Sequence, residues 1–246
     1  MGLDKPYYRI ARPGKNIKFE YCKNDVYAND RSELCRAYYI LQKDLKKIFE
    51  FIEPCEENLC TYSHRLYELL LRACTEFENN CKRILTANGY EDTHMNIKDY
   101  YKINKALKLS EYKLTIDFWR GDPIRLKPFD EWNDDEYHPL NWYQDYNNVK
   151  HDRNYNFKRA SLENVISAVA GVLVTLYSQF NYHTFTVFQL HDICFETLNN
   201  NQMTIAESLF KIEETPEWHD NEKYDFDWNN LKKEEDPFQE YDFNDD

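Results

Sequence analysis

Glycine and proline are scarce, at 5 and 8 of 246 residues, which disfavours turn-rich sandwiches and barrels. Long apolar runs are missing as well. The longest, Val165 to Tyr177, is interrupted by Ser167 and Thr175 and is too short to span a bilayer. No Gly-rich phosphate loop, G-x-S-x-G elbow or H-E-x-x-H occurs. The first residues, MGLDKPYYRIARPGK, have no apolar core segment of a secretory signal, and Pro6 stands where a myristoylation pattern needs Ser or Thr. Seven cysteines (Cys22, Cys35, Cys55, Cys60, Cys74, Cys81 and Cys194) make an odd, irregular set that suits ordinary thiols in a reducing compartment. Cys55 and Cys60 have no second Cys/His pair at zinc-finger spacing. These absences lead us to expect a cytoplasmic protein with no membrane association, metal or cofactor.

What is present is enough for a real core. Apolar residues make up 42% of the chain, and the length suits one large domain or a domain with an appendage. The net charge of −13 is uneven: from Glu213 onward there are fourteen acidic and three basic residues, so residues 1–212 are nearly neutral. We therefore expect a single helical domain over 1–212, with an irregular arm at 1–30 and a loop-rich insert at 88–139. The acidic aromatic tail, 213–246, lacks helical periodicity and reads as disordered or loosely docked.

The expected fold is all-α. Asp30 or Ser32 can cap a first helix on which Leu34, Tyr38, Leu41, Leu45, Ile48 and Ile52 align in one stripe, and Pro54 stops it. A second helix, from about Glu57 to Leu85, carries its own stripe through Leu59, Tyr62, Leu66, Leu69, Ala73, Phe77, Cys81 and Ile84, and Asn88-Gly89 ends it. The short joint between them makes the pair antiparallel. Asn96 can cap a helix reaching about Leu109, and Tyr112–Trp119 alternates weakly, as a short strand or an extended connection. Ser161 caps a helix that is apolar on nearly all sides and should be central; Ala168, Ala170 and Gly171 on it allow a neighbour to approach closely. Residues 185–212 read as one more helix or two short ones.

The segment most suggestive of chemistry runs from Trp142 to Phe157. On a continuous helix, Tyr143, Asn147, Lys150, His151 and Asn154 share an arc of about 100°. Trp142, Tyr146 and Val149 project from roughly the opposite side. An imidazole can move protons near neutral pH. A neighbouring ammonium and amide can hold a phosphate and stabilise charge developing on it. Arg153, Lys158 and Arg159 follow as further phosphate contacts, and an exposed Tyr143 would suit base stacking.

A helical body with a polar-x-x-x-His step just before a long apolar helix resembles the HEPN superfamily. That resemblance implies a metal-independent ribonuclease or RNA-binding effector of a bacterial defence or stress system. It also implies a homodimer whose two motifs meet at the interface. Asn147 and His151 match the motif's polar residue and histidine, making His151 the acid/base, with Lys150 and Asn147 holding the phosphate. Tyr146 stands at the position of the motif arginine, which favours a second reading, a catalytically silent protein-interaction module. A third is a small-molecule sensor using the aromatic-rich 112–143 region. The acidic tail is either a solvated terminus or a segment that docks on its own body or on a protein partner, in competition with RNA.

Overall fold

Apolar side chains spaced three and four apart build five helices of eleven residues or more, four of which form a bundle, and the way their ends are tied decides how they run. The computed structural model describes residues 2–184 and 208–244 except 16 and 135, and the backbone of 185, 186, 195–198 and 202–205. In chain order the elements are α1 (Asp25–Ala28), α2 (Arg31–Phe49), α3 (His64–Ala87), α4 (Ile97–Leu107), β1 (Lys113–Ile116), β2 (Arg125–Leu126), α5 (Asn141–His151), α6 (Arg153–Asn156), α7 (Leu162–Phe180), α8 (His183–Thr186), β3 (Phe195–Leu198), β4 (Gln202–Ile205), β5 (Phe210–Glu214) and α9 (Trp228–Leu231).

Ser63 and Ser161 cap α3 and α7 by accepting from the amides of Leu66 and Asn164. The two helices start side by side, joined by a bridge between Tyr62 and Ser161, and stay together to Asn80 and Gln179. They are therefore parallel. α2 runs antiparallel to α3, with Asp44 paired to Arg72 and Asp30 to Arg83. α5 is antiparallel to both: Tyr143 bonds Glu78 on α3, and Asp145 accepts from Asn164 on α7. The result is an up-down-up-down bundle with α7 at its centre, as its all-round apolarity predicts. Gly171 faces the Trp142 ring, where an added Cβ would meet the indole at 3.3 Å.

Several boundaries differ from expectation. α2 ends at Phe49, before Pro54, and α3 begins at His64 rather than near Glu57. A 3-10 turn over Glu56–Asn58 fills the gap. Asp30 does not cap α2, because its carboxylate is taken by Arg9 and Arg83. The fold is helix-dominated but not all-α. A three-stranded antiparallel sheet of order β2-β1-β5 pairs Leu114 with Leu126 and Ile212, and Ile116 with Phe210. Of the expected helix over 185–212, only Phe185 and Thr186, the end of α8, are helical among the described residues; further on β3 and β4 pair antiparallel, and β5 completes the sheet. The rest of that span, with His191 and Cys194, lies outside the described residues.

The tail is not loose. Tyr224, Phe238 and Phe243 are fully buried. Parallel bridges join Leu3 and Gly14 to Tyr224, and Tyr7 to Gln239. At Gly14 an added Cβ would lie 2.0 Å from the Tyr224 carbonyl oxygen, so only glycine lets the two backbones approach this closely. The Arg12 guanidinium stacks 4.6 Å from the Trp218 ring and 5.2 Å from the Tyr7 ring. Lys108 pairs with Glu222 and Lys5 with Glu234. Acidic composition hides this because the anchors are aromatic and irregularly spaced. The N-terminal arm is irregular, as expected, but it is core: Ile10 and Tyr21 are almost wholly buried.

Phe238→Ala tests the docked tail. Removing so buried a ring should cost about 3–5 kcal/mol in urea unfolding, whereas a solvated tail would leave the midpoint unchanged.

Candidate nucleic-acid interface

α5 presents its buried side as a broad stripe rather than a narrow one. Trp142, Tyr143, Tyr146 and Val149 are all buried, spanning an arc of about 120° at 100° per residue. The Trp142 indole N–H donates to the Pro128 carbonyl at 2.7 Å, and the Tyr143 hydroxyl donates to Glu78 Oε1 at 2.9 Å. Burial, reinforced by the charge of Glu78, pushes the Tyr143 phenol well above its ordinary range. Tyr143 is thus a packing residue held by a carboxylate, and the expectation of an exposed stacking ring there is corrected.

The face imagined around His151 divides. Asn147 sits half-buried at the edge of the stripe. Lys150 leans back across it: its ammonium donates to the Tyr146 hydroxyl at 2.9 Å and lies 4.9 Å from that ring's centroid. That hydrogen bond raises the Lys150 pKa, so the lysine is held as a cation. His151 closes α5, where the helix dipole favours positive charge. Its side chain is exposed, and among the described residues nothing hydrogen-bonds or ion-pairs with it. Asp152, with φ −145° and ψ 78°, breaks the helix and caps α6 by accepting from the Tyr155 amide. Asn154 therefore leaves the arc that a continuous helix would give it, and stands exposed on α6.

Of the remaining cations, Arg159 is engaged by Asp145 and by Asn156 Oδ1 at 3.1 Å. Lys158 is exposed. Arg153 lies over the Tyr67 ring, 5.8 Å from its centroid, and so belongs to a group that the sequence did not suggest. The parallel start of α3 and α7 gathers Tyr62, His64 and Tyr67 around Phe157. His64 tilts against the Phe157 ring at 4.8 Å, Tyr62 meets it edge-on at 5.7 Å, and Tyr67 lies 6.2 Å away. Tyr62 is 42% exposed, and Tyr155, two residues from Phe157, is 90% exposed. The usable signal was two aromatic-rich segments that each flank a helix N-cap, Ser63 and Ser161.

The backbone here is fixed. The amides of Leu162 and Glu163 donate to the carbonyls of Thr61 and Leu59, at 2.8 and 3.1 Å, so the first turn of α7 is closed by protein. Those two amides are therefore not open to an anion. Among the described residues no group of three or more His, Cys, Asp or Glu side chains is arranged to hold a metal ion. A cleft of about 620 Å³ lies between α2 and α3, lined by Asp44, Lys47, Phe51 and Arg72 among others, and includes none of the candidate site residues of the Trp142–Arg159 segment. α7 is long and apolar enough to cross a membrane, but 78% of its apolar window is buried in the bundle. Compared with protein-family models, curated proteins and solved structures, this chain matches none.

Two substitutions separate the buried from the exposed members of the segment. Tyr143→Phe should lose about 1–2 kcal/mol of stability with its bond to Glu78, and His151→Ala should change stability by less than about 0.5 kcal/mol. Urea unfolding of the two variants checks this; equal losses would contradict the assignment.

Proposed function

We propose that this chain binds single-stranded RNA across the end of the bundle where α3 and α7 begin. The observation that carries the reading is the group of exposed Tyr155, Tyr62, His64 and Arg153 around half-buried Phe157, with exposed His151 and Lys158 close by in the chain. Every base has a π-face, so rings and an arginine on one surface hold unpaired nucleotides with little sequence preference. The nearby cations supply phosphate contacts, and affinity should fall with salt.

The distribution of charge supports the same reading. The acidic tail docks around Asn88 and Gly89, just beyond the last turn of α3, whereas the aromatic group sits at its first. A helix of 24 residues separates the two by roughly 36 Å, several Debye lengths at physiological salt. Tail and RNA therefore do not compete for one surface.

Cleavage needs more than binding. The HEPN-like reading gives His151 as acid/base with Asn147 one turn earlier, but Tyr146 replaces the arginine, and Lys150 is turned onto that tyrosine. RNA binding without cleavage is the reading favoured for the chain. A protein-interaction module is the second reading. It draws on a different face, where Ile40 and Phe51 project from α2 and the turn that follows it.

Fluorescence anisotropy with a labelled uridine oligomer tests the proposal. Tyr155→Ala and Arg153→Ala should each weaken binding about tenfold, the scale of one lost stacking or cationic contact. Affinity unchanged in both variants would contradict it. Incubation with RNA in EDTA should leave the RNA intact; cutting that His151→Ala abolishes would establish the nuclease reading instead.

A further inference from the structure

We infer that the outer face of α2 pairs two copies of this chain about a twofold axis, in antiparallel register. On this helix Ile40, Asp44, Lys47 and Phe51 fall within an arc of about 60°. Phe51 extends the stripe because the amides of Phe51 and Ile52 both donate to the Ile48 carbonyl at 2.9 Å, carrying the helical turn past Phe49. Phe51 is 80% exposed and Ile40 43% exposed. Single exposed apolar residues are ordinary; the order of these four is what points to a second copy.

A dyad passing between Leu45 and Lys46 sets Ile40 of one chain against Phe51 of the other. The same dyad sets Asp44 against Lys47. Each pairing occurs twice, as an isologous interface requires, and each joins like to like or acid to base. Asp44 is free to take part, since Arg72 occupies only its Oδ2 and both side chains are about half exposed. The Lys47 ammonium has no hydrogen-bond or ion-pair partner among the described residues. The pairing also roofs the cleft between α2 and α3, whose floor includes Ile48, Leu69 and Leu71. Because the two α2 helices run in opposite directions, the aromatic ends of the chains lie at opposite ends of the dimer. Each chain then keeps its own RNA face, and no His151 meets its counterpart. This inference is independent of the RNA reading.

Sedimentation equilibrium of the full chain tests it. The wild type should be a dimer, and Phe51→Glu and Ile40→Glu should each weaken association at least about tenfold, with unchanged far-UV circular dichroism. Lys47→Asp and Asp44→Lys place like charges opposite each other, so each alone should be a monomer, and mixing the two should restore a heterodimer. A wild type that stays monomeric, a dimer that survives Phe51→Glu and Lys47→Asp, or two folded charge variants that fail to combine would overturn the inference. RNA affinity measured on monomeric Phe51→Glu keeps this outcome separate from the RNA reading.

Discussion

The arrangement of this protein depends on one buried amide. The Gln179 side chain, near the end of the central helix and without solvent exposure, donates to Asn80 Oδ1 and to the Thr175 carbonyl, both at 3.0 Å. Its Oε1 accepts from Arg9 at 3.3 Å, and its own carbonyl accepts from the Tyr27 hydroxyl at 2.6 Å. Arg9 in turn pairs with Asp30, which also meets Arg83. Arg9 holds a positive φ of 56°, a conformation that persists only where its surroundings dictate it. A buried polar group left unmatched costs about 1–3 kcal/mol. A slip of α3 along α7, or release of the arm, would strand several at once, so the network sets the register that apolar packing alone leaves free.

That register has a consequence at the other end of the bundle. Keeping α3 and α7 parallel and level brings their first turns together, and with them two aromatic segments far apart in the chain. The same register sends the arm and the acidic tail to the opposite end, where Gly14, Arg12 and Tyr224 lock them to each other. The docked tail with its carboxylates thus lies where α3 ends, held by arm aromatics and by Arg12 and Lys108, whereas the ring cluster around Phe157 lies where α3 begins.

The readable parts of the sequence were those governed by a local rule. Leu34 through Ile48 announced α2 by spacing, and the apolarity of Val165 through Leu176 on every side announced the central helix. Pro54 marked a stop, but the turn it imposes runs on to Ser63, which the periodic Leu59 and Tyr62 concealed. β5 escaped notice because its partner strand lies about a hundred residues away, and such pairing leaves no local trace. At the site, a helical wheel placed Tyr143 with His151 because a wheel does not reveal how wide the buried stripe is. It assigned Asn154 to the same face because nothing in the residues themselves announces the break at Asp152. The contacts of Phe157 with His64 and Tyr62 were out of reach, since they arise only once two helices are aligned.

Ultraviolet cross-linking of the full chain to a single-stranded uridine oligomer, followed by mass spectrometry of the adducted peptides, tests the central claim most directly. Adducts confined to Tyr155, Phe157, Tyr62 and their neighbours are the predicted result. Adducts on the arm, the tail or the sheet, with none at the paired starts of α3 and α7, would contradict it.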